Sequence, residues 1–167
     1  ALFIYGEARF NSGVELMGIE PERHCKVTNF GDTVYYHKGD CLNVFKPVYD
    51  ANLAGCVVGI DKVLERSPLG GYEPRPKSLE FSFAITCFPL TAKGGLSKAG
   101  LGVVNTKTFH YSDDFRSGLA RVDDIQVFLP FEEVQNLCGM GGAEKRASAI
   151  YIKFRPGVNL DAGCEKV

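Results

Sequence analysis

The chain has 167 residues, 45% of them hydrophobic and 23% charged, with 19 Lys and Arg against 20 Asp and Glu. That mixture in a single-domain length excludes an intrinsically disordered chain and allows a core without metals or disulfides. A formal charge of -1 with no long run of either sign excludes nucleic acid as an evident partner, and the apolar runs are strand-sized, far below the roughly 20 residues that span a bilayer.

In chain order, Leu2–Tyr5 and residues 14–19 read as strands around a polar 6–13 stretch, a hairpin arrangement. Glu20-Pro21-Glu22-Arg23 reads as a helix start, with proline in the first turn and acids at the positive end of the dipole. Residues 33–37, rich in strand formers and set between Gly31-Asp32 and Gly39-Asp40, predict a strand; residues 42–54 favour no single state. Residues 56–58 predict a short strand that runs through Gly59 into a helix with Ile60, Val63 and Leu64 on its apolar face, stopped at Ser67-Pro68. Three prolines and two glycines in residues 67–77 mark a surface loop or the neck to a smaller second lobe.

Residues 79–88 and 101–109 read as long strands, and the stretch 88–100 between them as a projecting hairpin. Residues 125–129 predict a strand, and Pro130 opens a helix with Phe131, Val134 and Leu137 on one face, closed by Gly139 and Gly141-Gly142. Residues 149–154 read as a last strand. Asn159 then caps a helix carrying Leu160, Cys164 and Val167 at helical spacing. The expected class is α+β, a mixed sheet with short helices. Both ends fall inside such elements, so the chain is expected to be a piece of a longer polypeptide.

Chemistry leaves few marks. The six cysteines, Cys25, Cys41, Cys56, Cys87, Cys138 and Cys164, form no C-x-x-C and none has a histidine at zinc-finger spacing. They read as small buried hydrophobes, with one or two disulfides open in an oxidising compartment. Residues 94–102 are glycine-rich but lack the order of a phosphate loop and lead into a strand rather than a helix. Asp113-Asp114 and Asp123-Asp124 lack the calcium-loop pattern and read as solvated turn carboxylates. Glu132 and Glu133 suit the first turn of a helix. His24, His37 and His110 are scattered, and no serine sits in a G-x-S-x-G elbow. Phe109, Tyr111 and Phe115 have no interleaved basic residues and read as core or partner surface. No catalytic, cofactor or metal site is expected, and the chain is not expected to be an enzyme; a hydrolase would require a cysteine or histidine cluster in a pocket.

Several segments, taken in order, resemble the MacB-type periplasmic core domain of permeases in the FtsX-like and lipoprotein-releasing LolC/LolE-like group. Val14-Glu15-Leu16-Met17-Gly18-Ile19-Glu20-Pro21-Glu22 is similar to the family strand ending in G-[IV]-[DE]-P-E. Gly55 to Leu64 resembles its G-x-[IV]-[IL]-G-x-x-L-A element, and Leu101 to Tyr111 its F-x-V-x-G-x-F strand, with Asn105 where glycine is usual. Ile125 to Leu137 resembles V-F-V-P-L-x-x-A-Q-x-L, with Val134 in place of alanine, and residues 149–154 fit the strand that follows.

The resemblance implies the extracytoplasmic domain of an ABC transporter permease, set between the first two transmembrane helices on the periplasmic side of a bacterial inner membrane. It would transmit ATP-driven motion to substrate export or lipoprotein release. Its implied partners are its own transmembrane helices and a separate cytoplasmic ATPase, with a second permease copy and a periplasmic carrier or adaptor as further candidates. In lipoprotein-releasing members a hook hairpin engages the carrier. Residues 88–100 stand in that place, which makes Phe88, Pro89, Leu90 and Leu96 the implied partner contacts; a plain connecting turn is the alternative. A free-standing extracytoplasmic binding module without a transport role is the alternative for the whole chain.

Overall fold

The computed structural model describes residues 1–5, 10–72, 80–87, 104–140 and 147–164. The strands are β1 (Leu2–Tyr5), β2 (Phe10–Gly13), β3 (Glu15–Ile19), β4 (Gly55–Gly59), β5 (Ser82–Cys87), β6 (Asn105–Phe115) and β7 (Gln126–Pro130). They join in one sheet of order β2-β1-β5-β6-β4-β7-β3. Pairings along it are antiparallel except for β6 with β4 and β7 with β3, which are parallel. With the short helices α1 (Pro21–Val27), α2 (Phe30–Thr33), α3 (Ala120–Ile125), α4 (Phe131–Leu137) and α5 (Leu160–Cys164), the class is α+β.

Around β4 and β7 both faces of the sheet are covered. All five residues of β4 are buried, and Val127, Phe128 and Leu129 are buried in succession on β7, the continuous apolar signature of an inner strand. One core contains Cys56, Val58, Phe83, Ile85, Phe109, Tyr111, Val127 and Leu129 under α4. The other contains Val57, Phe115 and Phe128 with Ile19, Phe30, Val34 and Val44. A bulge on β6 governs which residue goes where. Cys56 faces Tyr111 but Val57 faces Asp113, so Ser112 is the extra residue, and its hydroxyl donates to the Cys56 carbonyl at 2.8 Å. The parity of β6 flips there, sending Asp113 and Phe115 to the second face.

The expected helix start at Pro21 and the strand–helix unit around Pro130 are present, with Pro130 at the N-cap of α4 and Gly139 just past its end at φ 70°. Asn159 accepts the Asp161 N–H at 3.0 Å and caps α5 as expected. Other expectations are corrected. The return strand of the first hairpin is Phe10–Gly13, whereas Glu15–Ile19 departs at buried Val14 and pairs with β7 at the opposite edge. Residues 33–37 form no strand beyond an isolated Val34–Phe115 bridge, because the next three backbone N–H groups turn onto the Asp113 carboxylate. The helix after Gly59 is a single tight turn, Ile60–Lys62, that buries Ile60. Residues 149–154 join no ladder, and Ile150 is 84% exposed. The loop or neck expected at 67–77 is described only to residue 72, where Arg66 and Tyr72 form an isolated bridge.

Candidate functional site

Strand β3 is one of the sheet's two edge strands, and Gly18 lets α4 press onto it: a Cβ there would come within 2.9 Å of the Val134 Cβ. Beside this contact, α1, α4, β3 and residues 147–151 enclose a groove of about 430 Å³. Its floor and walls are apolar, with Leu16, Met17, Val27, Phe131 and Tyr151 among them. At the rim, Arg23 and Glu20 pair at 3.0 Å. His24 turns its ring toward Phe30 and Tyr151, with centroids 5.5 and 5.6 Å away, and burial lowers its pKa from the ordinary 6.5. A second hollow adjoins it at Ile19 and Phe131, near the starts of α1 and α4, and Glu132 and Glu133 line it. The groove's lining is mostly apolar, and among the described residues it presents no nucleophile hydrogen-bonded to a base.

Polar groups under the sheet hold loops. The Asp113 carboxylate accepts five hydrogen bonds, from the N–H groups of Tyr35, Tyr36, His37 and Asp114 and from His37 Nδ1, at 2.7–3.1 Å. Asp114, on the opposite face, accepts the Tyr111 hydroxyl, whose pKa rises through burial and the neighbouring carboxylate. Asp123 accepts the Ser117 N–H and hydroxyl, both at 2.7 Å, and the Gly118 N–H at 3.1 Å, closing the turn before α3. The expectation of solvated turn carboxylates is therefore corrected for Asp113, Asp114 and Asp123, which are at most 1% exposed; of the two pairs only Asp124 lies in solvent, 3.5 Å from Lys62. The reason is local. The β6 bulge directs adjacent acids into opposite cores, where backbone donors and a phenol receive them.

The histidines do not converge. His24 lies at the groove, His37 on Asp113, and His110 against the Tyr49 hydroxyl at 2.9 Å. Among the described residues no three His, Cys, Asp or Glu side chains gather as a metal site. The cysteines are less uniform than expected. Cys25 and Cys41 form a disulfide, so only part of the set consists of buried thiols. Cys56 is one of these, its pKa raised by burial. Cys87 and Cys138 place their sulfurs 3.1 Å apart, and the hydrogen bond to Cys87, followed by burial, raises the Cys138 pKa.

No family model and no curated protein matches this chain.

The implied partner contacts Phe88, Pro89, Leu90 and Leu96 lie outside the described residues. Their flanks are placed: β5 and β6 pair antiparallel as far as Cys87 opposite Asn105, so residues 88–104 join neighbouring strand ends. Sequence reasoning missed the groove, the Asp113 cluster and both cysteine pairs. Gly18 packs against α4, a partner more than a hundred positions away that no local pattern marks, and nothing in the sequence marks which cysteines meet. No helix among the described residues is long and apolar enough to cross a membrane.

Proposed function

We propose that the chain is the extracytoplasmic domain of an ABC transporter permease, relaying ATP-driven motion to substrate export or lipoprotein release. The observation that carries this reading is the ordered resemblance of its segments to MacB-type periplasmic core domains. Four of those five segments lie in the framework of the sheet, namely β3 running into α1, the inner strand β4, the long strand β6, and β7 running into α4, whereas residues 149–154 join no ladder. The Cys25–Cys41 disulfide supports an oxidising, extracytoplasmic setting. A body braced on both faces of one sheet suits a part that is pushed as a unit, with its own transmembrane helices and a separate cytoplasmic ATPase supplying the motion.

The apolar groove favours a second reading, a free-standing extracytoplasmic binding module. Expression of the native gene separates the two. Under the transporter reading the full-length polypeptide stays in the membrane through an alkaline wash and co-purifies with a nucleotide-hydrolysing subunit. Recovery in the wash without such a subunit rejects it. Within the transporter reading, Leu90→Asp with Leu96→Asp should leave the fold intact and reduce export by the full-length permease. Undiminished export would remove the partner role of these residues.

A further inference from the structure

Cys87 ends β5 and Cys138 is the C-cap of α4, 51 positions apart in sequence, yet their Sγ atoms lie 3.1 Å apart. That is about 1 Å longer than the ~2.05 Å of a sulfur–sulfur bond and shorter than the contact of two unbonded sulfurs packed side by side. The other two thiols are placed elsewhere: Cys56 is fully buried within β4 and Cys164 is exposed on α5. The same fold already carries one bridge, between Cys25 and Cys41.

We propose that Cys87 and Cys138 are a second cross-linking pair, closed to a disulfide by a protein dithiol oxidase or another disulfide oxidant. Cys138 is the more accessible of the two and reacts first. Its thiolate attacks one sulfur of the oxidant's disulfide, forming a mixed disulfide and expelling a thiolate. The Cys87 thiolate then attacks the Cys138 sulfur and expels the second. Two protein thiols give up two protons and two electrons, and the oxidant's disulfide leaves as two thiols. The proposal rests on geometry and stands whether or not the transporter reading does.

The bond has a mechanical consequence. Asn105, opposite Cys87 in the ladder, already donates its side-chain N–H to the Leu137 carbonyl at 3.0 Å, and Lys107 pairs with Glu133 at 2.7 Å. The β6 strand is thus tied to α4 by polar contacts, and the disulfide adds a covalent tie from β5. Helix α4 contributes Phe131 and Val134 to the groove, so oxidation couples the groove wall to the end of the β5–β6 pair from which residue 88 departs.

The test uses the 167-residue chain equilibrated with oxidised glutathione, quenched with acid, blocked with N-ethylmaleimide in denaturant and digested without reduction. Mass mapping should find a peptide joining Cys87 to Cys138, complete loss of maleimide label at both, label retained at buried Cys56, and either maleimide or a glutathione adduct at exposed Cys164. Cys138→Ser should abolish that peptide while keeping the Cys25–Cys41 peptide, a sign that the variant folds. The unsubstituted chain decides by itself if the variant does not fold. Maleimide on both Cys87 and Cys138, in material whose Cys25–Cys41 bond is intact, overturns the proposal. So does a link from either residue to Cys56 or Cys164.

Discussion

Burying a carboxylate is costly unless donors surround it, and Asp113 recruits a whole turn for that purpose. Four backbone N–H groups and the His37 ring converge on its two oxygens. The residue therefore acts as an internal anion that fixes the path of residues 35–37 over the sheet, in the manner of an anion in a backbone nest. Asp113→Ala strands these donors and should destabilise the fold by about 4 kcal/mol, while Asp113→Asn, which keeps one acceptor but points an amide N–H at the His37 N–H, should cost about 2 kcal/mol. Urea unfolding measures both. A loss of less than about 1 kcal/mol for the alanine variant would mean that water replaces the carboxylate at little cost. The same carboxylate explains why the strand expected at residues 33–37 is absent. Thr-Val-Tyr-Tyr-His has the composition of a strand, but a side chain some 80 positions away takes up the N–H groups that a ladder needs, and local pattern carries no trace of that.

Elements were legible where the local signal and the packing agree. The run from β3 into α1 is marked by Pro21 and its acidic neighbours, and the run from β7 into α4 by Pro130 and the Phe131, Val134, Leu137 face; both have the predicted type. Where an element depends on a distant partner, the sequence is silent. Residues 149–154 have the composition of a strand but find no ladder, and the apolar pattern after Gly59 yields one turn, against which α3 packs. Gly59 shows how close that approach is: a Cβ there would land on the Asp123 carbonyl. Since the obstacle is backbone, no rotamer relieves it, and Gly59→Ala should cost about 3 kcal/mol by forcing α3 away from β4. Because Asp123 also closes the 117–118 turn, amide exchange at Ser117 and Gly118 should quicken in the same variant. Unaltered stability and exchange would show that α3 can shift freely.

At the scale of the molecule, the two faces of the sheet are held by different means. The face under α4 is a broad apolar core, whereas the other rests on a smaller cluster beneath α1, α2 and the long connection from residue 34 to residue 54. That connection has little regular structure of its own, and the Cys25–Cys41 bond ties it to α1. Gly31 belongs to the same device: a Cβ there would approach the Cys41 sulfur to 2.8 Å, so glycine leaves room for the bridge. The fold class could be read from the sequence because it follows from element order, but this division of labour could not, since six cysteines without a spacing motif permit fifteen pairings. The bridge closes a separation of 16 residues, worth about 3 kcal/mol by loop-entropy scaling. For a chain of this size, Cys25→Ala with Cys41→Ala should lower the midpoint of thermal unfolding by about 6–12 °C. In a Cys138→Ser background, which lacks the proposed second bridge, added reductant should lower the chain that keeps Cys25 and Cys41 by a similar amount and leave the triple variant almost unmoved. Equal melting of the bridged and double-variant chains without reductant would mean that packing around Phe30 and Val44, not the covalent tie, holds the second face.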